Sequence, residues 1–269
     1  MLIHRVLSAI VLIPIVAVAV YFGGLWFFAL VTVAALLAAY EFLTIVRRKE
    51  YRPSSLLGMS LTMLLMAGGL CPHEPVASFA LAAVSMLTLV WELLKGNIPG
   101  SLESWALTIA GPLYIGGLAR HFVMLRALPD GIYWIGLAFL TTWLCDSAAY
   151  FIGSWIGKHP FFQRISPHKT MEGAIAGLVA GTLGAALLGL VLHIPLYLGI
   201  PLGLLISLAA TFGDLSESLI KRQVGVKDSS NLIPGHGGAL DRIDSLLFTV
   251  TVVYYFALWA PKAFPGVGL

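Results

Sequence analysis

Apolar residues follow one another without alternation over long stretches of this chain, and polar residues gather at the joints between them. A continuous apolar run of about 18 residues or more crosses a hydrocarbon core as a helix, whereas a membrane β-barrel shows shorter segments of alternating polarity. The pattern predicts about nine transmembrane helices, near 6–22, 25–46, 55–70, 76–94, 105–125, 132–156, 173–193, 196–213 and 245–261. The run 55–70 is short, and 105–125 is interrupted by Pro112, several glycines, Arg120 and His121. The opening MLIHRVLSAIVLIPIVAVAV has the charged start and apolar centre of a signal peptide. It shows no clear small-residue cleavage site and leads straight into the next run, so it reads as a retained first helix.

Composition agrees with this pattern. Of 269 residues, 59% are hydrophobic and 11% charged, and the mean hydropathy is +0.92. The expected fold class is all-α, a polytopic integral membrane protein. The net charge of +3 comes without a basic run interleaved with aromatics, so no nucleic-acid partner is expected. Cys71 and Cys145 lie in different regions with no metal-type spacing and receive no role. No clean repeat relates the two halves.

Charge sets the orientation. With the N-terminus in the cytoplasm, all but Arg120, Arg126 and Lys262 of the 16 Lys and Arg fall on the cytoplasmic side. Two cytoplasmic segments, 157–172 and 214–244, are far richer in polar groups than the other connections. Residues 1–130 therefore read as a helical scaffold and 131–269 as the catalytic region.

The segment from Asp146 to Asp244 collects Asp146, Glu172, Asp214, Glu217, Asp228, Asp241 and Asp244. A carboxylate at mid-span costs roughly 2.5–3.5 kcal/mol on insertion scales and needs a partner or a wet cavity. Asp146 fits either, since Ser147, Tyr150 and Gly153 extend a polar, small face at helical spacings. Asp214, Glu217, Ser218 and Lys221 share one helical face in TFGDLSESLIKR, as a solvated stripe also would. Asp241 and Asp244 stand three apart where an apolar helix begins. Two carboxylates so placed suit Mg²⁺, a hard cation that often bridges substrate phosphates; helix N-terminal Asp residues also simply favour the macrodipole. Lys169, Lys221, Arg222, Lys227 and Arg242 can neutralise a polyphosphate. Gly237 and Gly238 offer backbone N–H groups beside a helix start, and His236 reads as phosphate donor, acid/base or turn residue. There is no Walker A pattern and no G-x-G-x-x-G after a strand. The charges describe a cytoplasmic, membrane-adjacent site for Mg²⁺ and a polyphosphate, with a lipid as second substrate.

The stretch SLIKRQVGVKDSSNLIPGHGGALDRIDS, from Ser218 to Ser245, closely resembles the signature of the phosphatidate cytidylyltransferase (CDP-diacylglycerol synthase) family. The matching positions include Ser218, Lys221, Arg222, Lys227, Asp228, Ser230, Pro234, His236, Gly237, Gly238, Asp241, Arg242 and Asp244. Ala239 departs from a larger apolar residue. CDSAAYFIGSWIG, SPHKTMEG and GDLSES resemble the family's accompanying segments. The resemblance is specific over about 146–244 and generic before that.

It implies an enzyme that converts phosphatidate and CTP to CDP-diacylglycerol and pyrophosphate with Mg²⁺, leaving an additional monovalent cation open. It also implies a homodimer in the bacterial inner membrane with its site on the cytoplasmic side. Asp241 and Asp214 would hold metal with Asp244 ligating or supporting it, and Asp146 and Glu172 would form an outer metal shell. Ser166, Lys169 and Thr170 would contact phosphate, as would Gly237 and Gly238. Ser218, Lys221, Arg222, Lys227, Asp228, His236 and Arg242 would complete the catalytic set. Three other readings compete. CDP-alcohol phosphatidyltransferases need D-G-x-x-A-R, which is absent here. A transporter would spread its carboxylates through several spans. A relative activating another lipid phosphate shares every feature above.

Overall fold

The computed structural model describes residues 2–72, 74–96, 98–233, 235 and 237–263. Among them are nine α-helices: α1 Leu2–Phe22, α2 Gly24–Val46, α3 Ser55–Leu70, α4 Val76–Lys95, α5 Ser101–Ala127, α6 Gly131–Ile156, α7 Met171–Gly189, α8 Leu196–Gln223 and α9 Leu240–Ala263. The described residues form no named strand, only two isolated bridges. Each helix coincides with one of the apolar runs. Six are long and apolar enough to cross a membrane: α2, α4, α6, α7, α8 and α9. α3, with 16 residues, is only about 24 Å long at 1.5 Å per residue. α5 is long enough but carries Glu103, Arg120 and Arg126.

Helix ends follow local chemistry. Ser54 caps α3 by accepting the Leu57 N–H at 3.4 Å, and Thr170 caps α7 by accepting the Gly173 N–H at 3.2 Å. α4 closes on Gly96 in the left-handed region, φ 66°.

The chain forms two compact units. The first comprises Met1–Met124 with Gln223–Arg242. Its apolar core includes Leu61 and Leu65 of α3 against Ala80 and Val84 of α4, flanked by Ile109 of α5. α5 lies so close to α2 at Gly111 that any β-carbon there would run into the Phe42 ring. Ser104 and Thr108 of α5 accept the backbone N–H groups of Arg52 and Ser54, at 3.0 and 2.9 Å, and fix the α2–α3 connection.

The second unit comprises Leu125–Arg222 with Ile243–Leu269. α7 presents Gly173, Gly177, Gly181 and Ala185 every fourth residue, all buried. This is the small-residue spacing that lets membrane helices approach closely. A β-carbon on Gly177 would lie 2.8 Å from the Cys145 carbonyl oxygen of α6. α8 meets α9 in the same way: a β-carbon on Gly213 would lie 2.9 Å from the Asp244 carbonyl oxygen. Thr142 of α6 donates to Thr249 of α9 at 3.0 Å, pairing two buried hydroxyls.

Candidate active site

In the second unit, residues 157–170 fold back on themselves before α7. Phe161 N–H donates to the Lys169 carbonyl and Met171 N–H to the His159 carbonyl, both at 2.8 Å. His159 Nδ1 lies 2.6 Å from Glu172 Oε1, and the His159 N–H reaches the same carboxylate at 3.2–3.3 Å. Glu172, expected in an outer metal shell, is thus turned to the loop's first half. Thr170, expected at a phosphate, is the α7 cap. Ser166 lies in the same loop, where its carbonyl accepts the Lys169 N–H at 3.2 Å.

This fold aims Lys169 at α8. Its Nζ lies 2.7 Å from Asp214 Oδ2, while Ser218 Oγ donates to Asp214 Oδ1 at 3.3 Å. One turn further, Lys221 pairs with Glu217, whose side chain is 0% exposed. Arg222 Nε donates to the Ile165 carbonyl at 3.0 Å and ties the end of α8 to the loop. The close α8–α9 approach at Gly213 sets Asp244 beside Asp214. Asp244 is within electrostatic range of Asp214, Asp146 and Lys221. Seven residues singled out in the sequence therefore meet in this unit: Asp146, Lys169, Asp214, Glu217, Ser218, Lys221 and Asp244.

In the first unit the signature loop closes on itself. Asp241 Oδ2 accepts from Gly238 N–H at 2.7 Å and Ser229 N–H at 3.0 Å, and the Ser229 hydroxyl, whose single proton lies between this oxygen and Glu41, is 2.9 Å away. Gly237 has φ 80°, and a β-carbon there would sit 2.6 Å from that same oxygen. Lys227, Asp228 and Arg242 are exposed. His236 and Pro234 lie outside the described residues.

Glu41 of α2 escaped the sequence reading. It is 4% exposed and accepts from Ser229 Oγ at 2.8 Å, Ser230 Oγ at 2.6 Å, and the backbone N–H groups of Ala239 and Leu240 at 2.9 Å each. Those two amides are orphan donors at the start of α9. The available sign was a lone carboxylate in the run ALLAAYEFLTIV. His159 was also missed, since nothing local marks it.

Asp146, Asp214 and Asp244 offer carboxylate oxygen, the donor chemistry of a hard divalent cation. Among the described residues no three such groups stand at ligating distance. Gathering three like charges beside Lys169 and Lys221 nonetheless fits a site that would take a further cation.

The profile of the cytidylyltransferase family matches residues 3–259. Curated relatives covering nearly the full chain are each called phosphatidate cytidylyltransferase. One from Synechocystis is 34% identical over 95% of this chain and 96% of its own. One from Bacillus subtilis is 35% identical over 93% and 94%. One from Staphylococcus aureus is 32% identical over 93% and 96%. With the family profile running from the first helix to the last, and with the convergent carboxylates and cations on the segments that carry its signature, this chain belongs to the cytidylyltransferase family.

Proposed function

We propose that the protein is a phosphatidate cytidylyltransferase, a membrane enzyme that joins phosphatidate and CTP into CDP-diacylglycerol and pyrophosphate. The observation that carries this reading is the meeting of Lys169, Asp214, Ser218, Lys221 and Asp244 on segments that bear the family motifs.

A phosphate oxygen of phosphatidate attacks the α-phosphorus of CTP. A new P–O bond forms, the bond from the α-phosphorus to the α,β-bridging oxygen breaks, and pyrophosphate leaves with that electron pair. The nucleophile is already an anion, so no base has to remove a proton. What the reaction needs is in-line positioning and neutralisation of phosphate charge. Lys169 and Lys221 are the cations set among carboxylates for that purpose, with Arg222 at the end of the same helix as Lys221; the resemblance assigns Lys227 and Arg242 to phosphate as well. The resemblance assigns Mg²⁺ to Asp241 and Asp214, with Asp244 ligating or supporting it and Asp146 and Glu172 in an outer shell. The ion supplies charge neutralisation on the phosphate oxygens. Ser218 orients Asp214.

The nine helices are read as nine spans with the N-terminus in the cytoplasm, on the distribution of Lys and Arg. The bacterial relatives fit a place in a bacterial inner membrane, and the distribution of Lys and Arg supports a site on its cytoplasmic side. The resemblance supports a homodimer.

The test uses purified protein, phosphatidate micelles, Mg²⁺ and CTP labelled at either the α- or the γ-phosphate. The α-label is expected in the organic phase and the γ-label in aqueous pyrophosphate. Organic counts no higher than those of a Lys169→Ala, Asp214→Asn double variant would remove the activity from this chain.

A further inference from the structure

Glu41 does more than the cap of a helix requires. Its Oε1 takes the Ser230 hydroxyl at 2.6 Å and the Ala239 N–H at 2.9 Å; its Oε2 takes the Ser229 hydroxyl at 2.8 Å and the Leu240 N–H at 2.9 Å. Two backbone donors suffice to cap α9. The two hydroxyls come from the other end of the signature loop, so one buried carboxylate pins both the loop's descent and its re-entry into helix.

The loop in turn sets Asp241. The Ser229 hydroxyl that meets Glu41 Oε2 also lies 2.9 Å from Asp241 Oδ2, and two backbone N–H groups, Ser229 at 3.0 Å and Gly238 at 2.7 Å, converge on that oxygen. A β-carbon on Gly238 would strike both Ser229 Oγ and the Glu41 carboxylate, so the three groups share a space with no slack. These three donors are therefore on, or next to, residues that Glu41 holds.

We propose that Glu41 is a positioning residue for Asp241, acting through Ser229 and the loop 229–240 to fix the direction in which the Asp241 carboxylate faces. The proposal rests on the reading of Asp241 as part of the site for Mg²⁺ and phosphate. It assigns a role in the reaction to a helix that carries none of the recognised motifs.

The experiment uses the full chain in detergent with Glu41→Gln, Glu41→Ala and Ser229→Ala. Glu41→Gln preserves size and one acceptor oxygen, and serves where Glu41→Ala fails to fold. Hydrogen exchange across 229–241 is read with and without Mg²⁺, and turnover is followed as Mg²⁺, CTP and phosphatidate are varied separately. In Glu41→Gln we expect faster exchange confined to that segment and weaker protection by Mg²⁺. Half-maximal activity should need roughly 10–100-fold more Mg²⁺, the usual cost of losing a group that orients a ligand, at an unchanged KM for phosphatidate. Ser229→Ala should shift the Mg²⁺ requirement in the same direction. A Glu41→Gln protein with wild-type exchange overturns the proposal, as does one with a wild-type Mg²⁺ requirement. So does a Glu41→Ala protein that merely unfolds while Glu41→Gln turns over normally at every Mg²⁺ concentration. If the wild-type protein makes no CDP-diacylglycerol, the proposed activity fails separately, and the exchange arm still decides the role of Glu41.

Discussion

Breaking the Glu217–Lys221 pair from one side should separate what it does for stability from what Lys221 does for substrate. The Glu217 side chain is 0% exposed and that of Lys221 11%, so solvent screens the pair weakly. Removing one partner of a buried pair strands the other charge, at about 3–5 kcal/mol. At about 1.4 kcal/mol per decade, Glu217→Gln should shift the folding equilibrium roughly two to four orders of magnitude toward the unfolded form. Replacing both, Glu217→Leu with Lys221→Met, removes both charges of the pair and should return stability to within about 1 kcal/mol of wild type or above it. The assay is denaturant unfolding in detergent followed by far-ultraviolet circular dichroism, with label incorporation from α-labelled CTP run in parallel. The double variant should be folded and yet inactive, because the cation proposed to meet phosphate is gone. A loss below about 1 kcal/mol for Glu217→Gln would place the pair with exposed bridges and refute the burial argument. Full turnover by the double variant would remove Lys221 from the phosphate-binding set.

Three further outcomes follow. Asp214→Asn should lower kcat by at least about tenfold and raise the Mg²⁺ needed, while melting near wild type; an unchanged Mg²⁺ titration would take Asp214 out of the cation site. Chelation with EDTA should abolish incorporation of label and added Mg²⁺ restore it, checked by organic extraction. Gly177→Leu should destabilise by about 1–3 kcal/mol or more through overpacking, because its β-carbon would sit 2.8 Å from the Cys145 carbonyl oxygen; thermal unfolding of the purified variant measures this.

Most of the helices could be read from the chain because they are long apolar runs, while α5, interrupted by Pro112, Arg120 and His121, follows the pattern least. The joints told less. The fold of 157–170 depends on backbone pairs such as Phe161 with Lys169, which leave no trace in residue type. Lys169 and Asp214 stood out as charges, and their 2.7 Å approach follows from that loop and the α7–α8 packing. Glu41 marks the limit. Its partner Ser229 lies 188 residues away, and no local spacing connects an acid in one apolar run to a serine beside the signature. Its sole trace was the cost of a carboxylate in such a run, about 2.5–3.5 kcal/mol at mid-helix, which says that a partner exists without saying where. His159 was invisible for the converse reason: a loop histidine carries no cost that calls for one.

The evenly spaced glycines of α7 carry a liability. Gly173, Gly177 and Gly181 offer nearly identical surfaces at intervals of four residues, so a slide by one interval, about 6 Å along the axis, would bring like against like. A smooth rail of this kind lets two backbones touch but cannot say where along it they should stop. The stop must come from the ends, and the Thr170 cap with the His159–Glu172 clasp sits at the end of the rail that adjoins the 157–170 loop. On this view the clasp acts as a detent: loosening it leaves the helices in contact but lets Lys169 drift out of reach of Asp214.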